Sequence, residues 1–135
     1  MQMGMDLVVT SGAMATLLDE AARAAPQECC GLLLGAENRI GEARPAANVA
    51  PDPRRHFEID PAALIAAHRA ARLGELAVLG YYHSHPAGEA APSATDRAEA
   101  SGDGRIWAIV AGGQVRFWRN VPSGFAALPS RVVEG

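Results

Sequence analysis

Residues 81 to 96, YYHSHPAGEAAPSATD, place two of the chain's four histidines one residue apart, directly behind the apolar run LAVLG. In an extended strand residues i and i+2 project from the same face, so His83 and His85 stand side by side at the strand end. A pair of imidazoles so placed can chelate one cation. Ser84 points the other way. Taken alone, a His-x-His pair is better explained by two histidines engaged only in hydrogen bonds than by a metal site. Pro86 then turns the chain out of the strand, and a polar loop leads to Pro92-Ser93-Ala94-Thr95-Asp96, which reads as the start of a short helix. Ser93 followed three residues later by Asp96 also resembles a capping box, a purely structural device. The two readings are compatible, because a helix N-terminus beside the histidines would aim a carboxylate at their cation.

Two histidines and one carboxylate form the ligand set of a catalytic zinc rather than a structural one, since three protein ligands leave the fourth tetrahedral position for water. Hydrolysis then needs a base that takes a proton and returns it to a leaving group. Glu20, Glu42, Glu58, Glu75 and Glu99 occur in polar or helix-surface contexts where solvation explains them. Glu28 differs, because it opens the apolar run CCGLLLG, where a carboxylate is expensive to bury without a partner.

The elements around these residues alternate. MDLVVT (5–10) suggests a short strand. Ser11 is a candidate cap for a helix running to about Ala25, with Leu17, Leu18, Ala21, Ala22 and Ala25 on one stripe and Pro26 ending it. CCGLLLG (29–35) is continuously apolar and closed by glycine, as expected of a central strand covered on both faces. A turn near Glu37-Asn38 leads to a strand from Ile40 to about Val49. PDPRR (51–55) is a loop and HFEI a short strand. Asp60-Pro61 starts a second helix that Gly74 stops. LAVLGYY (76–82) is another buried strand, and IWAIVAGGQVRFWR (106–119) a hairpin turning at Gly112-Gly113. An α/β or α+β sandwich follows, and no linker divides it.

The bulk properties limit the setting. A chain of 135 residues supports one ordinary core, so a single domain over 1–135 is expected. Hydrophobic residues are 49% and charged ones 20%, a globular composition. The formal charge of −3 and a lone basic run, Arg54-Arg55-His56, argue against nucleic acid. The absence of a long apolar stretch, and a start (MQMGMDLVV) unlike a signal peptide, indicate neither membrane nor secretion, so a cytoplasmic protein is expected. Cys29 and Cys30, adjacent in sequence, read as two reduced, buried thiols. His56 and His68 lack partners at metal spacing, Trp107 and Trp118 read as packing, and Arg54-Arg55 as a solvated loop; an exposed Trp118 could alternatively meet a partner.

Together, Glu28 in PQECCGLLLG, His83-Ser84-His85-Pro86, six residues, Ser93, two residues and Asp96 resemble the JAMM (MPN+) zinc metalloproteases, whose motif is a distant Glu followed by HxHPx(6)SxxD. Every diagnostic position matches, and Cys29 ahead of Cys30 is a small variation. The resemblance implies a compact MPN/JAMM domain in its prokaryotic single-domain form, with a mixed, mostly antiparallel sheet flanked by two main helices and a short third one. It implies one Zn²⁺ per chain held by His83, His85 and Asp96. Glu28 would activate the fourth-site water, and Ser93 would donate a hydrogen bond to the developing oxyanion.

The resemblance further implies a zinc isopeptidase or peptidase, deubiquitinase-like or desampylase-like. It would cleave an amide after the C-terminal glycine of a ubiquitin-like or sulfur-carrier β-grasp protein, with the tail of that protein as partner. The oligomeric state is open, a homodimer included. The competing readings are a non-catalytic scaffold or interaction domain of the same fold, against which intact ligands weigh, and a zinc hydrolase of a small amide. A nucleobase deaminase is disfavoured by the lack of any CxxC.

Overall fold

The computed structural model describes residues 6–135. In chain order it contains β1 (Leu7–Thr10), α1 (Ser11–Ala24), β2 (Cys30–Ala36), β3 (Arg39–Ala46), α2 (Pro61–Arg72), β4 (Ala77–Ser84), α3 (Ala94–Glu99), β5 (Ile106–Ala111), β6 (Gln114–Val121), β7 (Gly124–Leu128) and β8 (Ser130–Val133). The strands form one mixed sheet in the order β7-β6-β5-β4-β2-β3-β1-β8. The α+β class expected from the sequence holds, with three helices around that sheet.

The continuous apolar run of β2 reflects its place between β4 and β3, where both of its faces are covered. Leu33 and Cys29 face the larger core, with Leu17 and Ala13 of α1, Tyr82, Ile106, Val110 and Phe117. Leu32 and Leu34 face a smaller core under α2, with Ala67, Leu64, Val78 and Tyr81. Each fully buried leucine contributes about 1.5–3 kcal/mol; Leu33→Ala would leave a void and cost about 2–5 kcal/mol.

The α1 stripe differs from the expected one. Ala13 and Leu17 are its buried positions, with Met14, Ala21 and Ala24 packed beside them, while Leu18 is exposed. The cap is Thr10 rather than Ser11: the Thr10 hydroxyl accepts the Ala13 N–H at 3.1 Å, and the Ser11 hydroxyl instead donates to the Gly135 carbonyl. Of the expected first strand, Met5 lies outside the described residues. Asp60 caps α2 as expected, its carboxylate accepting the Ala62 N–H.

Two other expectations change. β3 ends at Ala46, and HFEI is not a strand: a single bridge joins Asn48 to Ile59, and the residues between form a loop. β7 and β8 complete the sheet beyond the hairpin, with β8 pairing in parallel to β1. The hairpin itself turns as expected, Gly112 and Gly113 adopting φ of 58° and 76°, a region glycine enters without penalty.

The connection between β4 and β5 positions the site. These strands pair in parallel, so the chain must cross back from the end of β4 to the start of β5. That crossover, residues 85–105, contains α3 and therefore returns Asp96 to the end of β4. Gly80 permits the close approach of the two strands, since a Cβ there would stand 1.7 Å from the Ile106 carbonyl oxygen.

Among the described residues no helix is long and apolar enough to cross a membrane.

Candidate metal centre and active site

His83 is the penultimate residue of β4 and His85 follows its end, so both project from one face. Their Nε2 atoms lie 3.0 Å apart. The Asp96 carboxylate, brought in by α3, stands 3.1 Å from each Nε2. His83 and Asp96 are buried and His85 is nearly so. The capping box is also present: the Ser93 hydroxyl accepts the Asp96 N–H at 3.0 Å, and the Ser93 N–H donates to Asp96 Oδ2 at 2.9 Å. This cap holds the carboxylate toward the histidines, so the structural device and the ligand geometry are one arrangement.

These donor atoms suit a zinc ion. Ligand atoms about 2.0 Å from a tetrahedral zinc stand about 3.3 Å from one another, close to the separations here. Three lone-pair-bearing atoms turned on one point repel unless a cation or shared protons lie between them. The polar environment agrees. Burial works to raise the Asp96 pKa, but hydrogen bonding to both histidines outweighs it and holds the carboxyl well below its ordinary range. Desolvation pulls the His83 imidazole below its usual value, favouring the neutral, ligating form. At His85 the same desolvation is outweighed by hydrogen bonds to Asp96 and to the Glu89 carbonyl, and its pKa is raised.

Glu28 is buried in the segment leading into β2. Burial pushes its carboxyl up to about 7, with His85 lowering it and the Asp96 charge raising it further. A carboxyl poised there can both accept and release a proton near neutrality. Its backbone is bonded on both sides: the Glu28 N–H donates to the Pro53 carbonyl at 2.7 Å, and the Glu28 carbonyl accepts from Asn48 Nδ2 at 3.0 Å. Ser84, between the two histidines, accepts the Cys29 N–H at 2.9 Å.

A cavity of about 180 Å³ opens beside these groups, and Glu28, Ser93 and Asp96 share its wall with Phe57, His56 and Trp107. A larger hollow of about 410 Å³ over β6 and β7 has Arg116 as its sole ionisable lining group. Ser93 is exposed at the cavity, and its hydroxyl spends only a lone pair on the cap, which leaves the O–H free to donate.

Sequence reasoning missed the residues of the 49–58 loop. His56, expected to be an ordinary surface or core residue, is exposed but sits on the cavity wall, as do Arg55 and Glu99. Phe57 stacks on the His83 ring. Phe57 was concealed inside the supposed strand HFEI, and Asn48 carried no signal, because asparagines bonding to nearby backbone are common in loops. Trp107 packs as expected, and Trp118 is half-buried, donating from Nε1 to the Ala90 carbonyl at 3.2 Å. Cys29 and Cys30 are free and buried.

A mixed sheet whose parallel crossover sets a carboxylate against a His-x-His strand end defines a class of domain with a candidate His₂–carboxylate centre. The sequence profile of the prokaryotic homologs of the JAB domain matches residues 10–121, and the chain belongs to that family. The motif-based resemblance to the JAMM (MPN+) proteins therefore holds.

Among relatives, the chain is 38% identical over 86 residues to a desampylase of Haloferax volcanii, covering 62% of this chain and 62% of that protein. It is 37% identical over 97 residues to a protein of Thermus thermophilus named as a probable TtuB-protein conjugate cleaving protease, covering 72% of this chain and 65% of that one. The matched stretch thus spans under two thirds of either relative. A solved protein of Desulfitobacterium hafniense has a similar fold, with a TM-score of 0.84 at 27% identity, over 95% of this chain and 93% of that one.

Proposed function

We propose that this protein is a zinc-dependent isopeptidase or peptidase that hydrolyses the amide following the C-terminal glycine of a ubiquitin-like or sulfur-carrier β-grasp protein. The observation that carries the reading is the convergence of His83 Nε2, His85 Nε2 and the Asp96 carboxylate at 3.0–3.1 Å beside a cavity that also holds Glu28 and Ser93. The names of the two relatives, a desampylase and a conjugate-cleaving protease, support the substrate class. The eight-stranded sheet that unites the described elements supports reading the chain as one domain of this kind.

In this reading His83, His85 and Asp96 hold one zinc per chain. Zinc at such a site supplies a Lewis acid that polarises a carbonyl and acidifies water. Glu28 takes a proton from the attacking water and returns it to the departing amine, a role its pKa near neutrality suits. Ser93, at the N-cap of α3, donates its hydroxyl proton to the oxygen that gains charge as the carbonyl is attacked. An extended tail can bind beside a strand end largely through its main chain, and terminal glycines let backbone pass close to the reacting centre.

The test is a β-grasp protein joined through its last glycine to a lysine, compared with the same fusion carrying bulky residues in the final two positions. Selective cleavage of the glycine form is expected. Equal cleavage of both, or cleavage of neither alongside digestion of unrelated peptides, would replace the reading with a general peptidase.

A further inference from the structure

The two histidines are oriented by different means. His85 Nδ1 lies 2.7 Å from the Glu89 carbonyl oxygen, a hydrogen bond of the kind that fixes the tautomer and plane of a metal-binding imidazole. His83 has no equivalent: its Nδ1 is buried without a hydrogen-bond partner among the described residues. Hydrogen bonds on that side of the ring therefore do not set its rotation, although Nε2 must stay aimed at His85 and Asp96.

Packing supplies the constraint. The Phe57 ring lies nearly parallel to the His83 imidazole, with centroids 4.1 Å apart and planes 15° from each other. Trp107 meets the same imidazole at 5.6 Å and 87°, and Phe57 at 6.0 Å and 81°. Rotation of the imidazole about its Cβ–Cγ bond would drive its edge into one ring or the other.

Phe57 is itself held in a loop fastened to the Glu28 segment. Asn48 spends its whole side chain on this: Nδ2 donates to the Glu28 and His56 carbonyls, both at 3.0 Å, while Oδ1 accepts the Ala50 and Glu58 N–H groups at 3.1 and 3.0 Å. The partners of Asn48 thus include the residue before Phe57, the residue after it, and Glu28.

We propose that Phe57 is a positioning residue for His83, its stacked ring replacing the hydrogen bond that orients His85, with Asn48 locking the loop that presents it. The proposal rests on the reading of His83 as a metal ligand. It does not require Phe57 to touch metal or substrate. Its consequence is that part of the metal affinity resides in an aromatic residue outside the motif.

The experiment uses metal-stripped protein and reads two quantities: the Zn²⁺ dissociation constant, by competition with a chromophoric chelator, and the visible absorption of the Co²⁺-loaded form. Melting of the metal-free protein reports folding separately. Phe57→Leu keeps an apolar group of similar bulk but cannot lie flat on the imidazole. It is expected to weaken Zn²⁺ binding by about 10–100-fold, the range for loss of an orienting partner, and to alter the Co²⁺ spectrum. Phe57→Tyr, which preserves the stack, is expected to restore both. If Phe57→Leu folds poorly, Phe57→Met is read in the same way.

Unchanged affinity and spectrum in Phe57→Leu, even with a lowered melting temperature, would show a structural role alone and overturn the proposal. His83→Ala serves as the control. If it still binds Zn²⁺ like the parent, the ligand reading itself falls; if it loses Zn²⁺ while Phe57→Leu does not, only the positioning role falls.

Discussion

The hydroxyl of Ser84 accepts the backbone N–H of Cys29 at 2.9 Å, across 55 residues of sequence. One bond thereby joins the strand end that presents both histidines to the segment that presents Glu28. Ser84→Ala would leave a buried N–H unpaired, and a loss of about 1–3 kcal/mol in unfolding free energy is expected by denaturant titration. Zinc content should be kept, since no ligand is removed, and hydrolysis should fall because Glu28 is no longer registered against the histidines. A mutant of parental stability and activity would show that the bond positions nothing.

The purified protein is expected to carry about one zinc per chain, a count that elemental analysis gives directly. His83→Ala and Asp96→Ala should each lose it, because two remaining protein ligands leave the ion open to exchange. Chelation should abolish hydrolysis and added Zn²⁺ restore it. A protein free of zinc after purification without chelator would remove the basis of the proposed chemistry.

Substitutions at Glu28 and Ser93 should separate proton transfer from charge stabilisation. Glu28→Gln preserves shape but cannot carry a proton, so turnover should drop by several orders of magnitude with zinc retained. Ser93→Ala should keep zinc with a smaller loss, on the order of 10²-fold, typical of one oxyanion donor. Near-normal turnover in Glu28→Gln would assign the base to another acid.

The raised pKa of Glu28 also has a consequence for the stability of the metal-free protein. Below pH 4.5 the carboxyl is neutral in both folded and unfolded chains, and its burial carries no ionisation penalty. Between pH 4.5 and about 7 the unfolded chain loses this proton while the folded chain retains it, so stability from this group is lost as pH rises through that window and stays low above it. Relative to the parent, Glu28→Gln should therefore gain about 3 kcal/mol between pH 4.5 and 8. Paired urea titrations of stripped protein at the two pH values measure the difference; a gap that does not change with pH would mean that Glu28 is not shifted.

Burial pushes the thiols of Cys29 and Cys30 up, the latter to about 12, so neither is a ready thiolate at neutral pH. Thiol titration should count two reactive groups after unfolding and scarcely any before. Reductant should leave hydrolysis unchanged. Reversible inactivation by a mild oxidant would instead make the pair a redox sensor.

Much of this was readable without coordinates because the signals are local. The spacing of His83, His85, Ser93 and Asp96, the cap at Asp60, the glycine turn at Gly112-Gly113 and the two-sided burial of β2 depend on neighbours a few positions away. Glu28 also stood out, as a lone carboxylate at the mouth of an apolar strand. Thr10 was missed as the α1 cap because Ser11 fits the same rule. β7 and β8 were missed because GFAAL and SRVV are short edge segments whose strand character comes from pairing with β6 and β1.

The sequence by itself determined which residue types lie two and three positions apart, and hence that a His-His-Asp centre could form. The tertiary structure decided which side of the sheet would carry it. In the pairing of β2 with β4, Leu33 stands opposite Gly80 and Leu34 opposite Val78, so Leu79 is an extra residue in a β-bulge. Val78 and Tyr81 consequently pack on the α2 side, and Leu79 and Tyr82 on the α1 side. Alternation onward from Tyr81 and Tyr82 sends His83 to the α2 side, where the 49–58 loop brings Phe57, and turns Ser84 toward the Cys29 N–H. Without the bulge, strict alternation from Val78 would exchange those directions, because the side-chain period of a strand is two and a slip of one residue reverses every face. No residue type within LAVLGYY marks Leu79 as the extra one. The bulge is defined by the register of β4 against β2, which is brought together by folding rather than by neighbouring sequence.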